Sequence, residues 1–136
     1  MIANVELIAQ RLEKVKQVAP QVIDGYAKRL TERINSLLKS NDISIDPSAV
    51  IKEVGVFADK VDISEEVVRL GSHVEQFEQI AGAEVGDGKK LDFLVQEMLR
   101  ETNTIGSKAN NVEIASQVIE IKTAIERIRE MVQNVE

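Results

Sequence analysis

Aliphatic side chains recur at steps of three and four along nearly the whole of this 136-residue chain, and that spacing commits it to helices. Val5, Ile8, Leu12, Val15 and Ala19 mark one apolar face, and Ile23, Ala27, Leu30, Ile34 and Leu37 resume it. Pro20 lies between the two sets. It removes a backbone donor and crowds the preceding turn, so a kink or a fresh helix start is expected there. At the other end, Ile114, Val118, Ile121, Ile125, Ile128, Val132 and Val135 alternate steps of four and three over three heptads. That seam reads either as coiled-coil-like or as an ordinary core-facing stripe. It carries more aliphatic surface than one short helix would cover, so self-association through it is expected.

Local signals divide the rest. The first segment runs over about 3–39, and 40–46 is a polar connector. Asp46-Pro47 is a helix start, with Asp as cap and Pro in the first turn, for a helix over 47–60. Asp62, three residues before Glu65, resembles a capping box that opens a helix to about Ala81. Its inward face holds Ile63, Val67, Leu70, Val74 and Phe77. Residues 82–88 contain three glycines and read as a flexible loop. A further helix starts near Lys89 with Leu91, Leu94, Val95, Met98 and Ile105 inward. Gly106-Ser107 is expected to break or end it, and the last helix starts near Asn111. The fold class that follows is all-α: a bundle of long helices, coiled-coil-like and oligomer-forming, with 1–60 as a helical arm.

Composition narrows the function. Cysteine is absent, which excludes disulfide partners, thiolate metal sites and a cysteine nucleophile. No segment has the apolar length of a signal peptide or a membrane span, so a cytosolic chain without membrane contact is expected. The net charge is −6, against simple basic binding of nucleic acid. The charge is uneven: residues 1–60 hold nine basic and eight acidic side chains, and 61–136 hold eight and fifteen. Such an excess is either plain solvation or a carboxylate site for a divalent cation.

With the apolar stripes turned inward, polar rows remain. Glu66, Arg69, His73 and Gln76 share one helix face, and Lys90, Glu97, Glu101, Thr104 and Lys108 share another. Asp92, Gln96, Arg100 and Asn103 run alongside. If the two helices are neighbours, carboxylates, guanidinium groups and the chain's single imidazole meet. That mixture suits phosphodiester cleavage: carboxylates hold a hard cation, an imidazole moves a proton, and Arg and Lys stabilise phosphate charge. A solvated charged face and a structural histidine would give the same pattern.

Three motif blocks extend this reading. Asp59-Lys60-Val61-Asp62-Ile63-Ser64-Glu65-Glu66 with Arg69-Leu70 and Ser72-His73 is the first, and Lys89-Lys90-Leu91-Asp92-Phe93 with Gln96-Glu97 and Arg100-Glu101 the second. The third is Asn103-Thr104-Ile105-Gly106-Ser107-Lys108-Ala109-Asn110, followed by the tail 126–136. In this order, from about residue 55 to the end, they resemble the C-terminal helical region of the YicC-like endoribonuclease family. Lys89, Leu99, Gly71 and Asn111 depart from its usual arginine, asparagine, basic residue and aspartate.

The resemblance implies an RNA-cleaving, divalent-metal-dependent protein that assembles into ring-like homo-oligomers, with the family's N-terminal domain absent here. On that basis Glu66, Asp92, Glu97 and Glu101 are candidate ligands for Mn2+ or Mg2+. His73, Glu97 and Glu101 are candidate catalytic groups, and Arg69, Arg100 and Lys108 candidate contacts to RNA phosphate. The alternative is a non-catalytic module that oligomerises or clamps RNA. With so few cations beside so many carboxylates, the chain alone is expected to bind and cleave RNA weakly.

Overall fold

The computed structural model describes residues 1–41, 44–83 and 87–135. These form five helices: α1 (Ile2–Asn41), α2 (Pro47–Lys60), α3 (Ser64–Ala81), α4 (Gly88–Lys108) and α5 (Val112–Val135). Among the described residues there is no strand, so the chain is all-α. The centre of the loop expected over 82–88 lies outside the described residues.

Four helices close into a ring of neighbours. α5 packs on α1 and α4, α4 packs on α3, and α3 returns to α1, while α2 lies against α1. Their apolar stripes meet in one core, with Ile8, Val15, Leu70, Phe77, Met98, Ile105, Ile114, Ile121 and Ile128 fully enclosed. Each large aliphatic side chain so buried contributes roughly 1.5–3 kcal/mol, and aliphatics supply nearly all of it.

The seam of α5 is part of this core. Ile114, Val118, Ile121, Ile125, Ile128 and Val132 are all buried within the one chain. The expectation that the seam needs a second chain is therefore corrected: α1 and α4, on either side, cover it. The arm is also shorter than 1–60. Val5, Ile8, Leu12 and Val15 belong to the core, and Val22 is the last described side chain of α1 that is buried. What stands away from the bundle is the second half of α1 with α2, which buries none of its residues. A stack of Tyr26 on Phe57, ring centroids 3.8 Å apart, joins that pair.

Helix ends follow local chemistry, with two corrections and, at Pro20, one of two expected outcomes set aside. α1 runs through Pro20 rather than restarting. Pro20 and Lys16, whose carbonyl loses its donor, lie on the exposed side, where water can take the vacant acceptor. α4 continues past Gly106 to Lys108. A Cβ on Gly106 would stand 3.3 Å from Val118, so this glycine serves the close approach of α5 and not a helix break. Ile63, not Asp62, is the cap residue of α3; Asp62, one residue earlier, accepts from the Ser64 amide at 3.0 Å and its hydroxyl at 2.5 Å, and not from Glu65. Those bonds hold the Asp62 carboxyl below its usual range, as Ser48 does for Asp46 at the start of α2.

Replacing Ile121 with alanine should cost about 2–5 kcal/mol in chemical denaturation, as expected for a large aliphatic removed from a closed core. Ile51→Ala on α2, where the side chain is 73% exposed, should stay within about 0.5 kcal/mol.

Candidate functional site

α3 and α4 run antiparallel, and cross-links between their polar rows show the register. Glu66 faces Lys108, Arg69 faces Glu101, and His73 faces Glu97 and Glu101. The numbers rise on one helix as they fall on the other. The periodicity of each row was legible in the sequence, and the packing of α3 on α4 brings the rows together.

The lower part of this seam is an ion-pair network. Arg69 Nε donates to Glu101 Oε1 at 2.8 Å, while its terminal nitrogens lie 3.2 Å from Glu65 and 3.6 Å from Glu66. The bond to Glu101 raises the Arg69 pKa above its ordinary value. Lys108 Nζ donates to Glu66 Oε1 at 3.1 Å. Glu66 and Glu101 are themselves only 5% and 3% exposed, so each needs its cation. A buried carboxylate left alone costs several kcal/mol, and pairing offsets that cost.

Above the network lies a different arrangement. One ligand atom from each of His73, Glu97 and Glu101 can be chosen so that all three lie within 4.8 Å of one another. His73 Nδ1 is buried and has no hydrogen-bond partner. Arg100 reaches Glu97 at 3.6 Å from an exposed position. The donor set of one imidazole and two carboxylates suits Mn2+ better than Mg2+, which takes oxygen ligands. Two bonds of about 2.1 Å, the magnesium distance, placed opposite one another span about 4.2 Å, so the three side chains would draw in slightly to hold such an ion.

The candidate residues thus separate. His73, Glu97 and Glu101 come together. Glu66 lies on the same seam, with one oxygen placed between Arg69 and Lys108 and the other buried without a partner. Asp92 lies outside the three-residue group and accepts a long bond of 3.5 Å from Gln96. Arg69 and Lys108 are bound to carboxylates, and Arg100 is the most exposed of the three cations, its side chain at 73%. Glu65, outside the candidate set, joins the network; its i,i+4 spacing to Arg69 is the sequence signal for that pair. Two departures from the family motif prove structural. Asn111 caps α5 by accepting from the amides of Glu113 and Ile114, which an aspartate would also do. Leu99 packs against the core.

Fold and site together define a helical-bundle protein with a histidine–carboxylate group between two antiparallel helices. The family described as "Endoribonuclease YicC-like, C-terminal" matches residues 15–136. The chain is 40% identical over 131 residues to the "Probable endoribonuclease YicC" of Clostridioides difficile (strain 630), covering 96% of this chain and 44% of that protein. It is 35% identical over 133 residues to the protein of the same name from Haemophilus influenzae (strain ATCC 51907 / DSM 11121 / KW20 / Rd), covering 98% and 45%. The chain belongs to the YicC-like endoribonuclease family, in its C-terminal region, and spans less than half the length of these relatives.

The network has its own test. Lys108→Met leaves the Glu66 oxygen with only the more distant Arg69 and should cost about 1–3 kcal/mol in denaturant unfolding. Adding Glu66→Leu should recover most of that loss, because no buried charge then remains unpaired.

Proposed function

We propose that this chain carries the metal-dependent centre of an RNA-cleaving enzyme, with His73, Glu97 and Glu101 as the residues that hold a divalent cation. The observation that supports it is the convergence of these three side chains, together with a buried His73 Nδ1 that has no hydrogen-bond partner. The names of the relatives supply the reaction class, endoribonuclease. Manganese or magnesium, when bound, supplies Lewis-acid stabilisation of the charge that builds on a phosphodiester during cleavage. The chain's own residues have other tasks. Arg69 fixes the carboxylate of Glu101 by its bond at 2.8 Å. Lys108 and Arg69 offset the charge of Glu66, so the cation would meet a site whose lower half is already neutralised. Arg100, beside Glu97 and open to solvent, is placed to receive phosphate. No described helix is long and apolar enough to cross a membrane, and RNA as substrate fits a cytoplasmic setting.

Calorimetric titration of the chain with manganese should show one site. His73→Ala and Glu97→Gln should each weaken it by at least about tenfold while the helical circular dichroism stays unchanged. In a protein of the relatives' full length, the same changes should cut RNA cleavage by on the order of a hundredfold. Unaltered metal binding in both variants would refute the assignment.

A second role, self-association, is favoured by the arm and not by the α5 seam. α2 has no buried side chain, and Ile51, Val56 and Leu37 are 73%, 41% and 45% exposed. We propose that the arm meets another copy of the chain. In sedimentation velocity, Ile51→Glu should shift an oligomer toward monomer; an unchanged distribution would remove the arm from the interface.

A further inference from the structure

The outer face of α4 carries a row that the ion-pair network does not explain. Lys89, Phe93, Gln96, Arg100, Asn103 and Ser107 follow steps of four and three, and all six are exposed. They form one stripe over about 27 Å of helix. The six positions themselves hold no acidic residue, in a chain of net charge −6, although Asp92 and Glu97 border them and contact Gln96 and Arg100. The exposed positions of α3 and α5 include Glu65, Glu75, Glu113, Glu120 and Glu126. Phe93 is 60% exposed. The other aromatics are accounted for, since Phe77 is in the core and Tyr26 stacks on Phe57.

We propose that this stripe is a track for single-stranded RNA, with Phe93 stacking on an unpaired base and Lys89 and Arg100 contacting phosphate. Three observations converge on it. An exposed ring flanked along a helix by cations and amides is the composition of a single-strand surface: rings take base faces, cations take the backbone, and Gln and Asn take base edges. Lys89 and Arg100, 11 positions apart on that row with no carboxylate on the row between them, are the cations of α4 placed to take a polyanion. Its position is the third. Each of Gln96, Arg100 and Asn103 is followed in sequence by a member of the polar row on the α3 side, so the stripe runs alongside Glu97 and Glu101. The ion pair of Arg100 with Glu97 at 3.6 Å joins the two. A strand lying on the stripe would pass its backbone beside the histidine–carboxylate group. This deepens the nuclease reading and rests on it for the role of the neighbouring group. It adds the expectation that unpaired RNA is the form engaged.

The chain contains no tryptophan, so Phe93→Trp places a single fluorescent reporter on the stripe. Its emission should be quenched saturably by an oligouridylate at low salt. Affinity of the parent chain for a fluorescein-labelled oligouridylate, read by anisotropy, should fall about tenfold in Phe93→Ala, the scale of one lost base stack. It should fall equally in Phe93→Leu and be retained in Phe93→Tyr. Lys89→Ala should lower the slope of affinity against salt by about one. With Phe93 exposed, these variants should keep the parent's helicity, and circular dichroism checks that. Parent-like binding in both Phe93→Ala and Phe93→Leu overturns the track. So does retention by Leu of what Ala loses, because an apolar protein contact, not a base stack, is then being read. A parent chain that binds no oligouridylate overturns it as well. In each case the manganese titration of the His73 and Glu97 variants decides the nuclease reading separately.

Discussion

The pairing of buried carboxylates with cations across α3 and α4 sets the geometry on which the site depends. Glu66 and Glu101 are almost wholly enclosed, and each has its counter-ion: Lys108 for Glu66, and Arg69 chiefly for Glu101. Such pairs contribute little net stability over an apolar alternative, because desolvation offsets most of the Coulomb gain. Their effect is on register. A slip of α4 by one turn moves side chains by about 5.4 Å along the axis, which would break both cross-helix links, leave Glu101 without its cation and leave Glu66 with only the more distant Arg69. The aliphatic core alone would tolerate such a slip more readily, since Leu, Ile and Val repeat along both helices.

That register places His73 opposite Glu97 and Glu101. Glu101 belongs to both arrangements, bonded to Arg69 and within reach of His73 and Glu97. The polar seam thus grades from neutralised ion pairs at the Glu66 end to a histidine–carboxylate group at the His73 end. The three/four aliphatic spacing supplies the rigid bundle, and the ion pairs fix which polar residues face each other across it.

Much of this was legible in sequence. Helix positions follow from the spacing, Asp46-Pro47 marks the start of α2, and the row Glu66–Arg69–His73 follows from helical periodicity alone. Family membership was carried by the motif blocks around His73, Glu97 and Lys108. Other features required the third dimension. Periodicity shows that the α5 stripe is buried but not by what, so a seam covered by α1 and α4 of the same chain reads like one awaiting a second chain. Gly106 carries the usual helix-breaking signal, yet it serves the approach of Val118. Pro20 and Lys16 lie on an exposed part of α1, where water can take the acceptor that Pro20 vacates. Arg69 and Lys108 have the side chains of phosphate ligands, but their nearest anions are glutamates of the fold.

The central claim is that the α3–α4 register assembles one divalent-cation site from His73, Glu97 and Glu101. Anomalous diffraction from crystals of this chain grown with manganese tests it most directly. A manganese peak is expected within about 2.0–2.4 Å of a ring nitrogen of His73 and an oxygen of each glutamate, with the Arg69–Glu101 bond still in place. A structure in which manganese binds elsewhere while these three side chains keep their metal-free positions would contradict it.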